Sequence, residues 1–458
     1  MSRHRILAEL CRKEAQKKRP NIWVLCAFLW LTISPVLAQT RCTPSGPAPE
    51  VSDELRASLS SLKTGTKLKY YIVDFFTSPD PGACAHGQKV LAVARQTLTR
   101  YGASAIIPDI VPIEADFFAN KEAGARIISQ YIASFRAEAI RKTLSSALDR
   151  LKKQKRPPES GKYYLSVLYL QALYHQILSN GDAAIISTSI YGQLLDGFNL
   201  LPEKFYEKQT DIIMLTAASD EPTLIEETYL EPIRAFWERR QEYGLGIIGA
   251  VNSQGKFGMT SRDGTGITIV GPASGWAPPD KCFNPETDCG TSFATPFVGA
   301  EILLARQYWA SKGFKPDARA VIMRLMVSSD INAEVAGNYA AGGIPRLEKL
   351  LLIEGVYAKA SNGQLQNVKC LDCSIKVRRD RSFQTYVFAH GLDSFIGLQL
   401  IPDPLTRQLR SFIFRDEIMR WEEVEIDSLS FNFVAADGSD TTLDKDKFFQ
   451  QYKELFRL

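Results

Sequence analysis

The sequence has few histidines and lacks the features of a nucleic-acid-binding or repeat protein. Only four histidines occur in 458 residues, no segment repeats or has low complexity, and no lysine- and arginine-rich cluster is interleaved with aromatic residues. Because such a basic patch is the usual footprint of phosphate binding, we expect no nucleic-acid partner. The hydrophobic (45%) and charged (23%) fractions are ordinary and indicate a globular protein with a substantial core.

The N-terminal segment has the pattern of a secretory signal. Seven lysines and arginines fall within residues 1–20, an apolar run extends over residues 22–33, and the small-residue pattern Val36-Leu37-Ala38 follows Pro35. This order predicts a signal peptide, residues 1–38, that is cleaved after Ala38. A retained membrane anchor is the alternative, but the apolar run is shorter than the ~20 residues that a spanning helix needs. We therefore expect a secreted or periplasmic protein that is free of the membrane after cleavage.

Removal of this segment changes both the charge and the cysteine content. The whole chain has 55 basic and 51 acidic residues; without the segment's seven basic and two acidic residues, 48 and 49 remain, a net charge of −1. Six of the eight cysteines also remain, and an even number in an oxidising compartment predicts disulfides. Buried free thiols are the alternative. Nearness in sequence suggests three candidate pairs: Cys282–Cys289, Cys370–Cys373 and Cys42–Cys84.

The rest of the chain divides into three segments of different composition. Residues 39–65 are polar and rich in proline and serine, and predict a linker. Over residues 66–355 buried-strand patterns alternate with helical spacing, which predicts an α/β fold: a mostly parallel sheet flanked by helices. A short strand is expected at residues 105–107. Residues 356–458 show period-two alternation and predict a smaller β-rich C-terminal domain.

Four residues suited to acyl transfer lie at predicted strand ends or helix starts. Asp74 ends the first strong strand, His86 opens the next helix, Asn252 follows the strand ending at Val251, and Ser292 precedes an apolar helix. Functional groups of an open α/β sheet collect at the carboxyl ends of its strands. Acyl transfer needs a nucleophile, a base, a residue that orients the base, and an oxyanion donor. We predict these roles for Ser292, His86, Asp74 and Asn252, respectively.

The motifs around these residues resemble those of the subtilases, the subtilisin-like serine proteases. Residues 290–298, GTSFATPFV, resemble the nucleophile signature GTSxAxPxV, and residues 86–90, HGQKV, resemble the histidine motif HGxxV. Asp74 at a strand end resembles the aspartate motif, and residues 249–255 resemble the oxyanion-asparagine segment. The segment at residues 189–192 resembles the S-x-G strand that pairs with substrate. The motif order is also the family's, and the resemblance covers about residues 65–353.

The resemblance implies a subtilisin-like fold for residues 66–355 and peptide-bond hydrolysis through an acyl-enzyme. The catalytic triad would be Asp74, His86 and Ser292, with Asn252 in the oxyanion hole. A peptide or protein substrate would bind as an extended strand beside four residues: Ser189, Ile190, Tyr191 and Gly192. No cofactor and no catalytic metal are implied. Structural calcium is compatible with the family, but the motifs assign no calcium ligand, and they do not indicate an oligomeric state.

Departures from the family pattern keep other functions open. Phe75 and Phe76 stand where serine or threonine and glycine usually follow the aspartate, and Val251 stands where glycine usually precedes the asparagine. These differences motivate a second hypothesis, a catalytically weak or inactive binding protein that keeps the fold. An esterase-like hydrolase with the same triad is a third hypothesis, which the S-x-G strand disfavours because that strand suits a peptide backbone.

Overall fold

The computed structural model divides the chain into two compact units, residues 1–42 and 43–458. All residues that the structure describes belong to the second unit. They are residues 51–64, 67–78, 83–134, 159–179, 183–189, 211–218, 244–251, 269–272, 288–313, 315–331 and 343–351, scattered positions between 138 and 149, and strand segments between 356 and 444. Over these ranges, no helix combines the length and the apolar character that crossing a membrane requires.

Six parallel strands form a central sheet with the order β2-β1-β3-β4-β5-β6. Every neighbouring pair is parallel. The predicted α/β class with a parallel sheet is therefore confirmed, and the carboxyl ends of all six strands lie at one edge. The strands are β1 (Lys69–Asp74), β2 (Ile110–Glu114), β3 (Ala184–Thr188), β4 (Ile212–Ala217), β5 (Gly244–Val251) and β6 (Ile269–Pro272).

Helices cover both faces of this sheet. They include α1 (Asp53–Ser60), α2 (His86–Arg100), α3 (Lys121–Ala133), α4 (Glu159–Ser179), α5 (Thr291–Ser311), α6 (Ala318–Val327) and α7 (Leu347–Leu351). Because side chains alternate along a strand, neighbouring residues face opposite sides. Ile72 and Ile185 pack in a cluster with side chains of α2, α5 and α6, whereas Val73 and Ile186 pack in a second cluster with side chains of α3 and α4. This double coverage explains why the strands are apolar throughout.

Two features of the α/β region differ from the sequence prediction. The expected strand at residues 105–107 is part of a 3₁₀-helix, Ser104–Asp109. Pro108 lies within it, and a proline cannot donate a backbone hydrogen bond to a strand ladder. In addition, β4 and β6 were not predicted. β4 lies between β3 and β5, so both neighbours of β5, the strand that precedes Asn252, are strands that were not predicted.

The described residues beyond the α/β region form antiparallel strands. A short pair, β7 (Ser329–Ile331) and β8 (Gly343–Pro345), precedes α7. The later strands are β9 (Val356–Lys359), β10 (Leu365–Val368), β11 (Ser374–Arg379), β12 (Leu398–Pro402), β13 (Leu409–Arg415), β14 (Arg420–Val424), β15 (Leu429–Val434) and β16 (Asp440–Asp444). Phe412 and Trp421 are buried, and the Trp421 indole donates a hydrogen bond to the Met326 carbonyl at 3.0 Å. β14 thus contacts α6 directly.

Candidate active site

Strand ends and helix starts from distant parts of the chain lie together at the edge of the sheet that is formed by the carboxyl ends of the strands. β1 ends at Asp74, β3 at Thr188 and β4 at Ala217, while α2 begins at His86 and α5 at Thr291. α2 and α5 also pack against each other on one face of the sheet. Residues separated by more than 200 positions in sequence are therefore brought to one place, as is usual in open parallel sheets.

Asp74 and His86 form a hydrogen-bonded pair at this edge. Oδ1 of Asp74 lies 2.9 Å from Nδ1 of His86, and it also accepts the backbone N–H of Phe75 at 2.7 Å. The Asp74 side chain is 0% exposed, whereas that of His86 is 38% exposed. Because the carboxylate only accepts hydrogen bonds, the proton of neutral His86 sits on Nδ1, and Nε2 is its basic nitrogen.

Glycine after His86 allows α2 to begin directly against the end of β1. The backbone N–H of Gly87 donates to the Phe75 carbonyl at 2.7 Å. A Cβ at Gly87 would lie 2.8 Å from that same oxygen, which is closer than carbon and oxygen approach without a bond. The His-Gly dipeptide is thus explained by packing: a side chain at position 87 would push His86 away from Asp74.

Glu114 supports the loop that follows Asp74 and was not singled out from the sequence. It ends β2 and pairs in register with Asp74 on the neighbouring strand. One carboxylate oxygen accepts the backbone N–H of Phe76 at 3.1 Å and the hydroxyl of Thr77 at 2.8 Å. Its position at the end of a strand beside Asp74 is the only signal that could have identified it.

The surroundings of His86 make its imidazole more basic than usual. Burial lowers the pKa of His86, but the hydrogen bond to Asp74 and the negative charge of Asp74 raise it, and the net result lies above the ordinary value of 6.5. Among more distant charges, Lys89 lowers this pKa and Asp288 raises it. A more basic imidazole takes up a proton more readily, provided that it is neutral before the reaction.

Ser292 is the second residue of α5, and its neighbours attach the start of that helix to the ends of two strands. The Thr291 hydroxyl donates to the Ala218 carbonyl, just after β4, at 2.6 Å. The Ser189 hydroxyl, just after β3, donates to the Ser292 carbonyl at 2.9 Å. From Thr291 to Gln307, Ser292 is the one residue that is not buried. Ser292 is therefore partly exposed at the start of a helix that is otherwise buried as far as Gln307.

His86 and Ser292 lie on adjoining segments without a direct bond. The His86 ring is 5.8 Å, centroid to centroid, from the ring of Phe293, the residue after Ser292. Within the described part of the chain, no hydrogen bond joins the His86 imidazole to the Ser292 hydroxyl. Catalytic hydrogen bonds are often long in the absence of substrate, so this geometry is compatible with proton transfer in a complex.

Several predicted site residues fall outside the described residues. Asn252 is among them, although its strand, β5, is described to its last residue, Val251. Ile190, Tyr191 and Gly192 also lie outside, so only Ser189 represents the predicted substrate strand. The same holds for four of the six candidate disulfide cysteines: Cys42, Cys282, Cys370 and Cys373.

The two described cysteines lie beside the candidate catalytic residues. Cys84 comes two positions before His86, and Cys289 three positions before Ser292. Neither is a free thiol. The predicted pairings stay predictions. Among the residues that the structure describes, no group of three or more histidine, cysteine, aspartate or glutamate side chains is arranged to hold a metal ion.

Comparisons with known proteins find similarity only at the level of solved structures. No protein-family model matches the sequence, and no curated protein matches it. The prenylagaramide maturation protease PagA is 16% identical with a TM-score of 0.36, covering 66% of this chain and 98% of that chain. The patellamide maturation protease PatA is 15% identical with a TM-score of 0.36, and the match covers 63% of this chain and 97% of PatA. MycP1 from Mycobacterium smegmatis is 15% identical with a TM-score of 0.38, and the match covers 69% of this chain and 89% of MycP1. Because these TM-scores lie below 0.5, the similarities support no conclusion about this chain.

Proposed function

We propose that this chain is a serine endopeptidase that hydrolyses peptide bonds through Asp74, His86 and Ser292. The observation that carries the proposal is the hydrogen bond between the buried Asp74 and His86, together with the packing of His86's helix, α2, against α5, in which Ser292 is the second residue. Oδ2 of Asp74 is buried and has no hydrogen-bond partner among the described residues. A buried carboxylate oxygen without a partner destabilises the fold, so its presence favours a functional role over a structural one.

In the proposed mechanism, His86 acts first as base and then as acid. Nε2 takes the proton of the Ser292 hydroxyl as that oxygen attacks the scissile carbonyl carbon, and it later gives the proton to the leaving amine. Asp74 keeps the proton of neutral His86 on Nδ1 and stabilises the charged imidazolium that forms. Water then attacks the acyl-enzyme, and His86 repeats the transfer. No cofactor takes part in these steps.

Substrate binding and oxyanion stabilisation rest on the neighbouring strand ends. The peptide would lie beside the segment Ser189–Gly192 and pair with it through main-chain hydrogen bonds. The backbone N–H of Ser292 would donate to the oxyanion, because the first N–H groups of a helix have no partner within it. The positive end of the α5 dipole adds to this stabilisation.

The side-chain donor to the oxyanion has two candidates. Asn252, after β5, is the residue that the motif resemblance indicates. The second is Ser219, which also lies outside the described residues and directly follows Ala218, whose carbonyl accepts the Thr291 hydroxyl. Loss of the true donor should slow turnover by ~10²–10³. Comparison of Asn252→Ala with Ser219→Ala distinguishes the two candidates.

Export and disulfide formation complete the proposal. A signal peptide removed after Ala38 would deliver the protein to an oxidising compartment, where the six remaining cysteines would pair. Mass mapping of the mature N-terminus and of non-reduced peptides tests both points. A mature chain that begins at Met1, with all cysteines reduced, would overturn them.

Active-site labelling tests the proposed function. A fluorophosphonate probe should form a covalent adduct that maps to Ser292 and is missing in Ser292→Ala, and the wild-type chain should cleave casein whereas the variant should not. Because the imidazole must be neutral to act as base, labelling should rise with pH through a pKa that lies above 6.5. Equal casein cleavage by both chains, or an adduct on a different residue, would exclude Ser292 as the nucleophile.

A binding protein with this fold is the second candidate function. It is favoured by the missing hydrogen bond between His86 and Ser292 within the described residues, together with Phe75 and Phe76 after the aspartate. Such a protein would bind extended peptides without forming an adduct. Peptide binding by correctly folded chain that the probe never labels would favour it over the protease.

A further inference from the structure

An ion pair joins the two segments that carry His86 and Ser292. Lys89 lies three residues after His86 in α2, and Asp288 lies four residues before Ser292. Nζ of Lys89 is 2.8 Å from Oδ1 of Asp288, and the two side chains are only 23% and 11% exposed. The two residues are 199 positions apart in sequence, and their contact links α2, which begins with His86, to the residues just before Ser292.

The partial burial of this pair distinguishes it from an ordinary surface ion pair. Exposed pairs contribute little to stability because water screens them and because flexible side chains must be ordered. A pair shielded from water interacts more strongly than an exposed one. The contact adds to the hydrogen bonds of Thr291 and Ser292 that attach the start of α5 to the strand ends, and Gly290, which caps α5, makes no side-chain hydrogen bond there.

Both members of the pair also act on the imidazole of His86. Lys89 lowers the pKa of His86, Asp288 raises it, and Asp74 raises it more strongly through its hydrogen bond and charge. While the pair is intact, the effects of Lys89 and Asp288 oppose each other. Loss of either charge would therefore shift this pKa in a direction that identifies the missing partner.

We propose that Lys89 and Asp288 are positioning residues that fix the first turn of α2, and with it the His86 imidazole, relative to the segment that leads into Ser292. The inference rests on the proposed function, since it assigns the pair to the same site. His86 and Ser292 are not hydrogen bonded to each other within the described residues, so their approach depends on the contacts between α2 and the start of α5. Displacement of a reacting group by about 1 Å can slow a reaction by ~100-fold.

The test compares three variants by their rate of fluorophosphonate labelling: Lys89→Met, Asp288→Asn, and the reversed pair Lys89→Asp with Asp288→Lys. Each single change should lower the maximal labelling rate by ~10- to 100-fold and leave the probe concentration at half-maximal rate unchanged. The reversed pair should recover most of the rate, because it restores the contact with opposite polarity. Thermal unfolding, followed by circular dichroism, identifies any variant that does not fold.

Asp211→Asn is the matched control. Asp211 pairs with Arg306 on the same helix as Ser292, at 3.3 Å, but near the opposite end of α5. Its loss should leave the labelling rate at the wild-type value. The pKa of His86, measured by NMR of the imidazole, should fall in Asp288→Asn and rise in Lys89→Met through the lost charge alone, so each labelling rate is measured at a pH at which the imidazole of that variant is neutral.

The outcomes separate this inference from the proposed function. If the wild-type chain labels at Ser292 and both folded single variants reach the same maximal labelling rate, the positioning role is wrong and the protease proposal stands. If the wild-type chain does not label at Ser292, both the positioning inference and the protease proposal are wrong. Slower labelling in the single variants, recovery in the reversed pair and no effect in Asp211→Asn support the inference.

Discussion

The two helices that carry the candidate base and nucleophile differ sharply in their burial. α2 is amphipathic: it buries Val90, Ala94 and Leu98 but keeps a solvent-exposed stripe formed by Gln88, Arg95 and Thr99. α5 is enclosed on almost every side, and even its charged residues Glu301 and Arg306 are buried.

The difference in burial between α2 and α5 indicates which residues matter for activity and which for stability. Ser292 belongs to a helix that packs against five strands of the sheet, so its position is set by the core. His86 begins a helix with one free face, and its position depends on a few specific contacts: Asp74, the Phe75 carbonyl and the Lys89–Asp288 pair. We therefore expect changes around His86 to affect activity and changes within α5 to affect folding. Rigid helices and strands hold reacting groups more accurately than loops do.

Replacement of Asp74 should have the largest effect and should act on activity. Asp74→Asn keeps the size of the side chain but favours the wrong imidazole tautomer, so Ser292 labelling should slow by ~10⁴-fold. The pKa of His86 should fall, because the hydrogen bond and charge of Asp74 raise it. Asp109→Asn is the control, since Asp109 is equally buried but binds Lys69 and Gln307, outside the site. Wild-type labelling rates in Asp74→Asn would break the assignment of His86 as base.

A methyl group at position 299 should destabilise the fold most among changes within α5. A Cβ at Gly299 would collide with the ring and hydroxyl of Tyr70, which is itself buried and bonded to Ser187 at 2.7 Å. Gly299→Ala should therefore lower the free energy of unfolding by about 3 kcal/mol, as for an overpacked core. Gly313→Ala, where no atom lies within 4 Å, should cost only about 1 kcal/mol from its positive φ of 85°. If Gly299→Ala and Gly313→Ala lowered the free energy of unfolding in urea by the same amount, α5 would not be tightly packed against β1.

The sequence was most informative where a function needs a contiguous motif. Asp74, His86 and Ser292 could each be singled out because strand ends and helix starts have local patterns, and the alternation of elements predicted the parallel sheet. Contacts such as Lys89–Asp288 could not be predicted, because they join segments 199 positions apart and depend on how α2 meets α5. β4 was not predicted because a short apolar run, 212–215, does not identify a strand by periodicity.

A buried carboxyl on α5 should make stability depend on pH. Glu301 is fully buried, and burial raises its pKa from 4.5 to about 8, although the Tyr101 hydroxyl, which donates to it at 2.9 Å, and Arg346 oppose the shift. The folded state therefore keeps a proton that the unfolded chain releases above pH 4.5, so the contribution of Glu301 to stability is fully present below pH 4.5 and is lost as pH rises towards 8. Relative to Glu301→Gln, the wild-type chain should lose on the order of 3 kcal/mol between about pH 5 and pH 8. The free energy of unfolding of both proteins is measured in guanidinium as a function of pH. The same pH dependence for the wild-type chain and Glu301→Gln would contradict this prediction.

The smallest effect is expected at the exposed start of α2. The Gln88 side chain accepts the backbone N–H of Ala85 at 3.1 Å and so caps the helix that begins with His86. Gln88→Ala removes this bond but adds a better helix former, so it should cost about 0.5 kcal/mol or less. Arg95→Ala, on the same exposed stripe, is the control and should change nothing measurable. If Gln88→Ala destabilised the protein more than Gly299→Ala in the same urea unfolding experiment, α2 rather than α5 would be the helix on which the fold depends.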